Sequence, residues 1–501
     1  MRGAGMPPGL RWLIRIGWRP EVVVLLPAVA VAVLWVGGEV ALVALAAGLP
    51  LAFALSRRLW PQAAVSVSDH VIDRLDGALR DTSQGARQTG CFVVQFDDLS
   101  WLCDRHGRSR QSEILAASVA RIRGAMRPGD MLFPLEDGSL VVALAATQRL
   151  DLEVMVRIAG RLQMVVQQPL VLTEGSAQVT CCIGFCHARQ LAVGGGRNLL
   201  EAAQIAVDEA RRHGPGVIRA YSADLAQQRA LRDSLRTSFA AAIAAGQIRA
   251  HFQPQLSTDS GEVSGMEALA RWHHPEQGCL PPGKFLPALE GTDLMELLTR
   301  EMLSQSLEAM AAWDKAGLRV PQVAVNFAAD DLRDPQLPER LNWALDAHDL
   351  APSRLTVEVL ESVVAGEADD IVVRNIARIA QLGCGVDLDD FGTGNASITS
   401  IRRFALQRLK IDRSFVRDID TDRGQQKLVT AILSLAEKLG LDTLAEGVES
   451  RGEHAMLAQL GCGHVQGYMI ARPMPFEDVA PWLLRHRENL ARALRIDVRA
   501  K

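Results

Sequence analysis

From about residue 250 onward, one unit recurs: a short apolar run that closes on a single polar or charged residue, then a segment with helical apolar spacing. Gly265-Met266 leads to Glu267, Val323-Ala324-Val325 to Asn326, Leu355-Thr356-Val357 to Glu358, and the run Leu406 to Leu409 to Lys410. Thr443-Leu444-Ala445 leads to Glu446, and His464-Val465 to Gln466. Helical spacing fills Glu301 to Trp313, Ile371 to Leu382 and Lys427 to Leu439. Strand and helix alternating in this way over about 250 residues predict an α/β fold of the TIM-barrel type, whose chemistry sits at the carboxyl ends of the strands. The closing residues are therefore expected to converge on one mouth.

Gly385-Val386-Asp387-Leu388-Asp389-Asp390-Phe391-Gly392-Thr393-Gly394 is the sharpest of these units. Adjacent carboxylates repel one another, so a fold that aims both at one place needs a cation there, and oxygen ligands suit Mg²⁺ or Mn²⁺. The glycines let backbone approach a ligand closely. Alone, the stretch reads equally well as an Asp-rich turn closed by glycine. Its recurrence in the series decides for a site.

The 501 residues are 48% hydrophobic, more than one core organises, so two or three domains are expected. A net charge of −4 and the lack of a basic stripe with interleaved aromatics argue against a nucleic-acid polymer as partner. The eight cysteines are scattered apart from Cys181, Cys182 and Cys186, and no CxxC pair occurs, which favours reduced thiols in a cytoplasmic compartment.

Ahead of these domains, Val22 to Val36 and Val40 to Leu55 are apolar runs separated by Gly37-Gly38-Glu39, each near the lower limit for crossing a bilayer. Arg11, Arg15 and Arg19 precede them and Arg57 and Arg58 follow, so residues 1–60 are expected to form an inner-membrane hairpin with both ends cytoplasmic. The alternative, a buried hairpin of a soluble domain, fits poorly because neither run has a polar face. Val71, Ile72, Leu75 and Leu79 predict a linker helix within 61–87. From Gly90 to about residue 225 the pattern is that of an α+β domain. It has a strand Cys91 to Phe96, a helix Ile114 to Met126, a strand pair around Met131 to Leu144 and a strand near Val179 to Phe185.

The region 230–495 resembles the EAL family of cyclic di-GMP phosphodiesterases. The matching pieces are Phe252-Gln253-Pro254, Glu267 to Trp272, Val325-Asn326, Glu358 to Ser362, Asp389 to Gly394, Leu409 to Asp412, Ala445 to Glu449 and Gln466-Gly467-Tyr468. The resemblance implies that Glu267, Asn326, Glu358 and Asp389 hold one divalent cation and that Asp389, Asp390 and Glu446 hold a second. It implies further that Lys410 and Glu446 serve the attacking water, that Glu361 steadies the loop after Asp390, and that Gln253, Arg271 and Gln466 line the substrate. Leu360, Asn395-Ala396 and Asp293 depart from the family's usual Thr, Tyr-Ser and Gly, but none is an implied metal ligand.

The region 88–225 resembles, more weakly, the GGDEF family of diguanylate cyclases. Where that family has its signature, this chain reads Glu136-Asp137-Gly138-Ser139-Leu140. Gln95 stands for a metal-binding Asp, and Ser100, Cys103 and Ser112 stand for residues that hold the nucleotide. A degenerate domain that makes no cyclic di-GMP is expected. Arg127-Pro128-Gly129-Asp130 matches the spacing of the family's inhibitory site, although a surface turn with an Arg-Asp pair is the favoured reading.

The expectation is a membrane-anchored cyclic di-GMP phosphodiesterase with two Mg²⁺ or Mn²⁺ ions per barrel, assembled as a homodimer. A catalytically silent cyclic di-GMP receptor and a membrane scaffold are the alternatives.

Overall fold

The structure, a computed structural model, describes residues 67–83, 87–97, 108–172, 175–191, 194–365, 370–392, 394 and 397–500. The hairpin expected over residues 1–60 lies outside the described residues, and among these no helix is long and apolar enough to cross a membrane. The chain divides into two compact units, Met1–Ala226 and Gln227–Lys501.

The first unit is a five-stranded sheet in the order Met131–Pro134, Leu140–Ala143, Gly90–Phe96, Cys181–His187, Ile218–Ala220. Phe92, Val94 and Phe96 face a core shared with helices Arg108–Ala125 and Leu152–Gln167. Cys91 and Val93 face the opposite core, shared with Gly196–Arg212 and Val67–Ser83. A central strand buried on both faces explains the unbroken apolar run. The segment expected as a linker helix belongs to this unit. Val71 and Leu75 are fully buried, and Asp76 Oδ1 accepts the Gly196 N–H at 2.6 Å.

Residues 135–139 form the turn between the first two strands of that sheet, with Leu135 N–H donating to the Ser139 carbonyl at 2.8 Å. Asp137 Oδ1 accepts from the Ser139 N–H at 2.9 Å and from its hydroxyl at 2.7 Å. Asp137, which stands at a glycine of the family's signature, thus closes its own turn.

The second unit is a closed barrel of eight strands: β1 (Ile248–Ser257), β2 (Val263–His274), β3 (Val323–Phe327), β4 (Leu355–Leu360), β5 (Gly385–Phe391), β6 (Arg408–Ile411), β7 (Asp442–Ala445) and β8 (His464–Val465). The expected helices lie within Leu294–Lys315, Asp370–Leu382 and Arg423–Leu439. One feature departs from an all-parallel TIM barrel: β1 is antiparallel to both β2 and β8, which it joins to close the ring. The cause is local. Ser257 N–H donates to the Glu262 carbonyl and Gly261 N–H to the Ser257 carbonyl, each at 2.9 Å, making a hairpin far too short for a parallel crossover.

Strand periodicity then sorts the side chains. On β2, Met266, Ala268, Ala270 and Trp272 enter the apolar core, so Glu267, Leu269 and Arg271 fall on the other face, toward the barrel interior. The same alternation places Asp387 and Asp389 together on β5, and Arg408 and Lys410 together on β6.

Candidate active site

Four carboxylates gather around one lysine at the mouth, and a fifth stands beside two of them. Lys410 Nζ, with no exposed surface, lies 2.7 Å from Glu446 Oε1, 2.8 Å from Glu358 Oε1, 2.9 Å from Asp389 Oδ1 and 3.7 Å from Glu267 Oε2. Asp390 is the fifth: Asp389, Asp390 and Glu446 each offer an oxygen, all within 4.8 Å of one another. Asp390 holds φ at 53°, a left-handed conformation that costs a non-glycine residue about 1 kcal/mol. Glu446 and Gln466 follow the last residues of β7 and β8. Their N–H groups continue the ladder onto the Ile411 and Ala445 carbonyls at 3.0 and 2.9 Å.

Burial and repulsion dominate the electrostatics. Desolvation, helped by Asp389 and Glu267, lifts the Glu446 carboxyl to about 8 despite Lys410. Desolvation and Asp389 lift Asp390 to about 6, and Glu358 is pushed well above the carboxylate range. Burial opposes ionisation of Glu267 as well, but Lys410, Gln466 and Asn326 outweigh it and hold that carboxyl low. Lys410 is likewise desolvated, yet Asp389, Glu267, Glu358 and Glu446 keep it protonated well above the ordinary lysine range.

Amides fix the rest. Glu267 Oε1 accepts from Asn326 Nδ2 at 3.1 Å and Oε2 from Gln466 Nε2 at 2.6 Å. Gln466 Nε2 also donates to Gln253 Oε1 at 3.1 Å, and Gln253 Nε2 donates to the Ala471 carbonyl at 3.0 Å. Gln253 and Gln466, the two amides implied as substrate-lining, are both buried and bonded into the layer that holds Glu267. Arg271 is half-buried with Nη1 on the Ala270 carbonyl at 2.8 Å, and among the described residues no carboxylate pairs with it. Glu361 Oε2 accepts the N–H groups of Gly392 and Gly394 at 2.8 and 3.0 Å, anchoring the turn after Asp390. Gly392 needs its φ of 101°, and a Cβ there would come within 2.4 Å of the Phe415 ring.

Three residues at the site were not anticipated. Asp387, Arg408 and Gln255 form a buried polar layer directly beneath the carboxylates. The signal was present: each charged residue stands two positions before a site residue on its own strand, hence on the same face.

The donor set fits divalent cations. Both Glu358 oxygens are buried without a properly directed hydrogen bond, and the Asp389, Asp390 and Glu446 oxygens crowd together at the spacing of ligands. Fold and site together define a closed α/β barrel with an acidic, oxygen-rich mouth of the kind that handles divalent cations.

Comparison with known proteins is specific. Residues 235–473 match the EAL domain model, and residues 69–216 match the diguanylate cyclase, GGDEF domain model. The chain carries an EAL domain preceded by a GGDEF domain. It is 30% identical over 415 residues to the bifunctional diguanylate cyclase/cyclic di-GMP phosphodiesterase MucR of Pseudomonas aeruginosa, covering 81% of this chain and 59% of that protein. It is 29% identical over 419 residues to the cyclic di-GMP phosphodiesterase PdeR of Escherichia coli, covering 83% and 61%. A solved structure, "PaMucR Phosphodiesterase, c-di-GMP complex", is 34% identical, with 49% and 99% covered and a TM-score of 0.47. The chain spans between about half and three fifths of the length of MucR, PdeR and the oxygen sensor DosP.

Proposed function

We propose that the barrel hydrolyses cyclic di-GMP to linear pGpG with two Mg²⁺ or Mn²⁺ ions, in a chain anchored in the inner membrane with its folded domains cytoplasmic. The observation that carries this reading is the convergence of Glu267, Glu358, Asp389 and Glu446 on the buried Lys410, with Asp390 beside Asp389 and Glu446. Glu267, Asn326, Glu358 and Asp389 would hold one ion, and Asp389, Asp390 and Glu446 the other. Such a pair, when bound, polarises the phosphodiester and acidifies bound water.

Lys410 is held as an ammonium, so it orients the attacking water by donating to its oxygen and cannot take its proton. Glu446 opens onto the mouth and, once held as a carboxylate by a cation, is placed to accept that proton. As the water oxygen bonds to phosphorus, the P–O3′ bond breaks and the departing 3′-oxygen takes up a proton from solvent. Arg271 is placed on the same strand face as Glu267, toward the rim, where its planar donor fork suits a phosphate. Gln253 and Gln466 act on the carboxylate layer, and Glu361 on the loop that presents Asp390.

Incubating the full chain with cyclic di-GMP and Mn²⁺, and separating the products chromatographically, tests the reading. Catalytic turnover to pGpG, abolished by chelator and by Glu267→Ala, is expected. Tight nucleotide binding without product would make the protein a receptor, and no binding at all would make it a scaffold.

A further inference from the structure

The layer under the carboxylates is continuous. Arg408 donates to Asp387 Oδ2 from Nε at 2.8 Å and from Nη2 at 2.5 Å, and the same Nη2 donates to Gln255 Oε1 at 3.0 Å. Gln255 Nε2 donates to Gln466 Oε1 at 3.0 Å, and Gln466 Nε2 donates to Glu267 Oε2 at 2.6 Å. All five residues are at most 5% exposed.

We propose that Arg408 is a positioning residue whose guanidinium, through the amides of Gln255 and Gln466 and together with Gln253 on the other side, fixes which end of Gln466 meets Glu267. The inference rests on the reading of Glu267 as a cation ligand. An amide presents an acceptor at one end and donors at the other in nearly the same shape, so its orientation is set by its partners. A guanidinium can only donate. It therefore draws in the Gln255 oxygen, which turns the Gln255 NH₂ toward Gln466, which turns the Gln466 NH₂ toward Glu267.

An ionised carboxylate can only accept, so the relay is closed at both ends by groups of fixed polarity. If Gln466 turned over, its oxygen would face Glu267 Oε2 acceptor to acceptor, and the carboxylate would lose one of its two amide anchors. Asp387 is what keeps the buried Arg408 in place, its charge offset within hydrogen-bond reach. A pair serving stability alone has no need of the Gln255 bond.

The test uses the metal-free full chain and Mn²⁺, with uptake followed by electron paramagnetic resonance. Gln255→Glu keeps the volume and the acceptor toward Arg408, but removes the donor that Gln466 requires. Simple electrostatics predicts that the added negative charge tightens cation binding. The relay predicts weakening by about ten-fold, the effect of losing support behind a metal ligand. Asp387→Ala combined with Arg408→Met removes the donor without orphaning a charge and should weaken Mn²⁺ similarly. Adding Gln255→Glu to that pair should cause no further loss, and saturating Mn²⁺ should restore most of kcat in every variant. Thermal unfolding checks folding, and whichever of the two routes folds decides. Uptake equal to or tighter than wild type in Gln255→Glu, or in the folded double variant, overturns the relay while leaving the cation site standing. A wild-type chain that takes up no Mn²⁺ overturns both.

Discussion

Lys410 Nζ and Glu446 Oε1 stand 2.7 Å apart across a boundary: the ammonium has no exposed surface, whereas the carboxylate opens onto the mouth. The lysine thus supplies the inner half of the site's charge balance and leaves the outer half to be supplied from solvent.

Replacing Lys410 with Met should separate its two roles. Without the ammonium, Glu358, Asp389 and Glu446 repel one another, and breaking a buried ion pair costs about 3–5 kcal/mol. The metal-free variant should unfold at lower denaturant and recover part of the loss in Mn²⁺. Turnover should fall by about 10²-fold or more, with cyclic di-GMP binding nearly unchanged. Parallel loss of binding and rate would make Lys410 a substrate contact.

Cation uptake should release protons. Carboxyls lifted to about 8 at Glu446 and about 6 at Asp390 are protonated below those values, and a divalent cation displaces the proton. Apparent Mn²⁺ affinity should therefore rise as pH climbs through about 6 and about 8, and fall as pH drops. Calorimetry at pH 7 in buffers of different ionisation enthalpy measures the protons released. A pH-independent affinity between 6 and 8 would show that these carboxyls are not cation ligands.

At the turn after Asp390, Gly392→Ala should damage the site more than the fold. The positive φ and the 2.4 Å approach of a Cβ to the Phe415 ring force the turn to move, at about 1–3 kcal/mol. That movement breaks the bonds to Glu361. Far-UV circular dichroism should be unchanged while kcat falls by about ten-fold or more. Wild-type activity would mean that the turn does not set the position of Asp390.

The first unit should make no cyclic di-GMP. Joining two GTP molecules needs metal-bound triphosphates, and here Gly138 and Ser139 stand where the family has its central acids, while Gln95 stands where it has a metal-binding Asp. The full chain carrying Glu267→Ala, incubated with GTP and Mg²⁺, should yield no product. Cyclic di-GMP from that sample would contradict the expectation.

The sequence was most legible where a period met a polar stop. Asn326 and Glu358 emerge near their strand ends because an apolar run fixes the strand and the polar residue that closes it marks its end, whereas Asp389 and Lys410 each follow an inner charged residue, Asp387 and Arg408. Glu267 broke the rule, standing inside the twelve-residue β2, because that strand continues past the barrel wall into a hairpin with Gly278–Leu280. Two features were hidden for physical reasons. The reversal of β1 depends on a turn formed by residues 258–262, whose hydrogen bonds carry no periodic signal. The Asp387 and Arg408 layer depends on cross-strand register, which places these two residues side by side although they lie far apart in sequence.

The reversed β1 has one more effect. Ile248, its first residue, lies opposite Trp272 at the rim, while Ser257, its last, meets His464 at the floor. The polypeptide therefore joins the barrel on the face where the carboxylates converge; with all strands parallel it would join at the floor. The strand on which the chain enters carries Gln253, whose oxygen accepts from the amide that holds Glu267. Two hydrogen bonds in series thus link that entering strand to the carboxylate layer.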